Sequence, residues 1–132
     1  MPQTNKPISI RWAAIPICLL LLTLMLVGCT SSSSTSLKSS EVTLVTDPSA
    51  PIANQPTQFT VQIDNADYAA MNAVVQLQIN SNRSLPELLD TTREGEAYTV
   101  AYEFRSAGEY TVTVHLSYDE DHYAFAKKLS VQ

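Results

Sequence analysis

The 132-residue sequence predicts an all-β fold, a sandwich of about seven antiparallel strands following an export signal. Three observations predict it. From Glu41 onward, apolar and polar residues alternate with the period of half-buried strands instead of the spacing of a helix. Clusters of Asp, Asn, Gly and Pro interrupt this alternation about every 8 to 12 residues. The stretch "SAGEYTVTVHLSY" places Gly108 two residues before Tyr110, at the head of the longest alternating run.

Val42 to Val45 begins the sheet, and Asp47-Pro48 with Pro51 breaks it. Thr57 to Asp64 puts Phe59, Val61 and Ile63 on one face, and Asp64-Asn65-Ala66-Asp67 reads as a turn. Val75, Leu77 and Ile79 alternate with Gln76 and Gln78 in the next strand. After a polar break at Asn80 to Ser84 and Pro86, Leu88 to Thr92 forms a short edge strand that turns at Glu94-Gly95. On its partner, Tyr98, Val100, Tyr102 and Phe104 face inward. Tyr110, Val112, Val114 and Leu116 then share the inner face of a strand. Gly108 and Tyr110 resemble the tyrosine corner of immunoglobulin-like sandwiches, in which a tyrosine at the start of strand F bonds back to the preceding turn. The fold class is therefore an immunoglobulin-like β-sandwich.

The N-terminal third carries a different signal. Lys6 and Arg11 precede an almost unbroken apolar run from Trp12 to Val27, the layout of a secretory signal. With Pro16 inside it and no stop-transfer charges after it, the run is short for a permanent span of a core about 30 Å thick. Leu26-Val27-Gly28-Cys29 resembles the bacterial lipobox, where cleavage precedes a cysteine that carries diacylglycerol. The expected organisation is a lipoprotein signal peptide over residues 1–28, a lipidated Cys29 with a Ser-rich tether over 29–40, and the sandwich over 41–132. Two or three acyl chains would hold the protein at the cell membrane, on the extracytoplasmic face. Thr30 to Ser40, nearly all Ser and Thr, spans roughly 20 Å as a flexible tether.

Removing the signal takes Cys18 with it and leaves Cys29 as the one remaining cysteine, so no disulfide forms within the mature chain. The mature chain keeps six Lys and Arg against 13 Asp and Glu. That balance excludes nucleic acid as a natural partner, along with direct adhesion to anionic headgroups. Phosphate loops, CxxC, HExxH and GxSxG motifs are missing from the sequence. Ser117, the serine nearest a histidine, is expected on the sheet face opposite His115, leaving no nucleophile with a base and no enzyme.

His115 and His122 are the candidate site. A hairpin centred between Tyr118 and Asp119 would set Val114 against Tyr123, Val112 against Phe125, and His115 directly across from His122. Cross-strand neighbours stand about 4.5 to 5.5 Å apart at Cβ, close enough to share a metal ion. Tyr118, Asp121 or water would complete the ligand set. Asp119-Glu120-Asp121 otherwise reads as a solvated hairpin tip.

"AGEYTVTVHLSYDEDHYAFAKKLSV" resembles the C-terminal half of YtkA-like domains, small exported bacterial β-sandwiches. Gly108, Tyr110, Val114-His115-Leu116, His122 and Leu129 to Val131 match the family's pattern, and "TQFTVQIDNADYAAMNAVVQLQI" is similar to its first hairpin. Family members often carry methionines beside the second histidine, where this chain has Asp121 and Ala124. The resemblance, with that departure, implies Cu(II) or Zn²⁺ in preference to Cu(I). The expected function is a membrane-anchored, non-enzymatic binding or accessory module with a possible protein partner. The alternative is copper or zinc binding and delivery through His115 and His122, and no other cofactor is implied.

Overall fold

The alternating segments assemble into two antiparallel four-stranded sheets in the computed structural model, which describes residues 36–132. Cys29 and the export signal lie outside the described residues. The strands are β1 (Val42–Asp47), β2 (Pro56–Ile63), β3 (Val74–Ser81), β4 (Ser84–Asp90), β5 (Thr92–Glu94), β6 (Ala97–Glu103), β7 (Gly108–Tyr118) and β8 (Asp121–Val131). One sheet has the order β1-β2-β6-β5 and the other β4-β3-β7-β8. This is an immunoglobulin-like sandwich, with strands A, B, E and D in the first sheet and C, F and G in the second, extended by β4 beside C.

Among the described residues there are eight strands instead of about seven, because the segment expected as one edge strand divides between the sheets. Leu88 and Leu89 belong to β4 and pair with Gln78 and Leu77, whereas Thr92 belongs to β5 and pairs with Thr99. Thr91 marks the crossing, where its N–H and its hydroxyl both donate to the Val75 carbonyl, at 3.3 and 2.7 Å. Pro86 is accommodated because β4 is an edge strand, where a missing donor breaks no ladder on the open side. Gly95, at φ 65°, supplies the left-handed residue of the tight β5–β6 turn.

The expected turn at Asp64 to Asp67 is a single helical turn, α1 (Ala66–Ala69). Asn65 caps it, its side chain accepting from the Asp67 and Tyr68 N–H groups. The tether also ends earlier than expected. Ser36 begins the folded unit, and Leu37 is 3% exposed within the core. Ser39–Glu41 forms a 3₁₀ turn in which the Glu41 carboxylate accepts from the Lys38 N–H at 2.8 Å and from Asn65 Nδ2 at 3.2 Å. These bonds hold the Glu41 carboxyl below its ordinary value, the Lys38 N–H contributing most. A leucine inside a serine-rich stretch is invisible as core until a fold offers it a pocket.

The inner faces meet over Phe59, Val61, Leu77, Val112, Val114 and Leu116, all fully buried. Tyr110 forms the expected corner. Its hydroxyl donates to the Ser106 carbonyl at 2.8 Å, and its ring packs edge-on against Phe104 at 4.7 Å. Gly108 at φ 140° makes the bend that brings Tyr110 over this turn.

Candidate metal centre

β7 is a central strand with β3 on one side and β8 on the other, so its outward residues form the middle of an open sheet face. The β7–β8 hairpin turns on the two residues Asp119 and Glu120, with Asp119 at φ 36°. Aspartate tolerates that left-handed conformation better than most residues. The turn is centred one residue later than expected, which slides the register by two. Val114 therefore pairs with Phe125, Leu116 with Tyr123, His115 with Ala124, and Ser117 with His122.

A slip of two residues preserves every face assignment, because side chains alternate with period two. His115 and His122 thus share the outer face as expected, but they are diagonal neighbours and not opposite ones. They still meet. His115 Nδ1 lies 3.4 Å from His122 Nε2, with the rings stacked at a centroid separation of 5.5 Å.

Their remaining nitrogens are held from either side. His115 Nε2 lies 3.1 Å from Gln78 Oε1 on β3, and Gln78 Nε2 in turn donates to Asn80 Oδ1 at 3.0 Å. With the amide oxygen of Gln78 facing the ring, this contact is a hydrogen bond in the His115 tautomer that carries its proton on Nε2. His122 Nδ1 is 3.0 Å from Ser117 Oγ. Each imidazole therefore spends one nitrogen on a fixed polar group and turns the other toward its partner. This is how metal-ligating histidines are usually oriented.

Gln78 and Ser117 were both missed as members of this cluster, although the alternation was the available signal. Gln78 alternates outward with Gln76. Ser117 was expected on the face opposite His115 and instead shares its face, because residues two apart on a strand point the same way. Asp121 and Tyr118 do not complete the set. They pair with each other across the hairpin, on the inner-face phase, and Tyr118 is 5% exposed. Among the described residues no group of three His, Cys, Asp or Glu is placed to hold a metal ion.

Burial lowers the pKa of His115, and the neighbouring charge of His122 lowers it further. The neutral, ligating form is thereby favoured. The pair lies on an open face, away from the concavity of about 550 Å³ between the edges of β1 and β8, which Val42, Leu44 and Lys127 help to line. Comparison with known proteins finds no family model that matches the chain and no matching curated protein.

Proposed function

We propose that this chain is a lipid-anchored, extracytoplasmic binding module of the YtkA-like kind, without enzymatic activity, that captures a divalent transition metal between His115 and His122. The observation that carries the reading is the 3.4 Å separation of His115 Nδ1 and His122 Nε2. Two imidazole nitrogens on one tetrahedral zinc, each at 2.0 to 2.1 Å, stand about 3.3 to 3.4 Å apart. Adjacent ligands of a square-planar ion at similar bond lengths are nearer, at about 2.8 Å. In the metal-free protein the same spacing is that of a long N–H···N hydrogen bond between the rings, which a zinc ion would replace.

The Ser117–His122 contact does not argue for hydrolysis. Oxyanion stabilisation needs free donors aimed at the developing charge. β7 is bordered by strands on both sides, which engages its N–H groups in the ladder.

The metal reading is tested by calorimetric titration of Zn²⁺ and Cu²⁺ into the mature chain, residues 29–132, with Cys29→Ser to remove the lipid. Zinc should bind and His115→Ala or His122→Ala should abolish binding; equal binding by all three proteins overturns it. The anchor is tested separately by radioactive palmitate labelling of cells. Cys29→Ser should lose the label and leave an unprocessed precursor, and equal labelling rejects lipidation at Cys29.

A further inference from the structure

A zinc ion in a closed protein site takes four ligands. One copy of this chain presents two, and none of the other His, Cys, Asp or Glu among the described residues stands close enough to add a third. The ligand set is half of a tetrahedron. Resting on the metal reading above, we propose that one zinc ion joins two copies of this chain, each contributing His115 and His122, with the outer faces of the two β4-β3-β7-β8 sheets as the interface.

The surroundings of the pair favour this occupant. Around the histidines, the outer face carries Val74, Gln78, Thr113, Ala124 and Ala126, none of them charged. Charged residues stand at the borders of this face, among them the exposed acidic turn Asp119-Glu120-Asp121 that adjoins His122. Asp90 on edge strand β4 accepts from Gln76 at 2.7 Å, Lys128 donates to Thr111 at 2.9 Å, and Glu109 lies at the far end of β7. The mature chain carries 13 acidic against six basic residues, so two copies repel over most of their surface. At the uncharged centre of this face approach requires less desolvation of charge than elsewhere on the surface.

Apolar surface is available there too. Val74 is 63% exposed, and Leu88, which pairs with Gln78 and so shares its face, is 56% exposed. Ala124 stands opposite His115 and Ala126 opposite Thr113, small side chains that let two sheets approach to about 10 Å. A two-fold axis through the metal makes the arrangement self-complementary, since each copy offers the same two ligands from the same patch.

Sedimentation velocity of the mature chain carrying Cys29→Ser, titrated with Zn²⁺ alone, decides the matter when combined with metal stoichiometry. The expected result is a monomer that becomes a dimer with one zinc per two chains and returns to monomer on chelation. His115→Ala and His122→Ala should remain monomeric. Ala126→Glu, at an exposed position that pairs with Thr113 and not with either histidine, should retain zinc binding while weakening dimerisation at least about tenfold, because it sets like charges across the interface. One zinc per chain with no change in mass overturns the bridged dimer and leaves the metal site standing. A dimer that forms without metal, or that Ala126→Glu leaves intact, also overturns it. No zinc binding at all removes both readings.

Discussion

The two faces of β7 share one backbone and divide the protein's tasks. On the inner face Val112, Val114 and Leu116 are fully buried, with Tyr110 closing one end and Tyr118 the other. On the outer face His115 and Ser117 are half-buried and bonded to side chains from β3 and β8. The inner residues hold the sheets together through non-directional burial, which depends on volume more than on identity. The outer residues act through directed nitrogen and oxygen atoms, whose value depends on a few tenths of an ångström. Stability and site chemistry can therefore be perturbed one at a time along a single strand.

The strongest expected contrast is Leu116→Ala against His115→Ala. Leu116→Ala removes a fully buried side chain and should cost about 3 kcal/mol through lost burial and a residual cavity. His115→Ala, which deletes the contacts to Gln78 and His122, should change metal-free stability by about 1 kcal/mol while removing zinc binding. Urea unfolding of the pair measures the difference, and similar losses would erase the division between faces.

Next comes a contrast within the inner face. Tyr110→Phe should cost about 1 kcal/mol, because it deletes the donor to the Ser106 carbonyl. Tyr118→Phe should cost nothing measurable. The Tyr118 hydroxyl is buried without a hydrogen-bond partner among the described residues, and burial first, then the neighbouring tyrosines, push its pKa up to about 12. Unfolding curves that rank the two in the opposite order would reject the corner bond as the stabilising contact.

On the outer face, Gln78→Ala should weaken zinc binding by about 10- to 100-fold without abolishing it, since Gln78 orients His115 but need not touch the metal. Calorimetry alongside His115→Ala separates orientation from ligation. Binding unchanged by Gln78→Ala would show that the β3 contact does not hold the ring.

The smallest effect is one of pH. The pKa of His115 is depressed in the folded chain, so the unfolded chain binds the proton more readily. The stability contribution of neutral His115 is complete above about 6.5, the ordinary histidine value, and is lost as pH falls from there through the folded pKa. The metal-free His115→Gln variant should accordingly gain on the wild type as pH drops below about 6.5. Unfolding midpoints at a series of pH values check this, and a difference that is flat with pH would mean that folding leaves the titration of His115 unchanged.

Much of this was legible in the residue order because strand alternation is a local property. The inner face of β7, the outward placement of both histidines and the corner at Gly108 and Tyr110 all follow from period two and one glycine. The alternation of Val75, Leu77 and Ile79 likewise determined that Gln78 points outward, although not that it would reach His115. Tertiary structure alone decided the rest. The two-residue turn at Asp119 and Glu120 selected among registers that differ by two and are equal in hydrophobic pattern, making the histidines diagonal neighbours. Thr91 crossed from one sheet to the other because each sheet had an edge to fill, and Leu37 joined the core because the sheets left it a place. Local sequence determines which way a side chain faces; which groups it then meets depends on turns and packing between segments far apart in the chain.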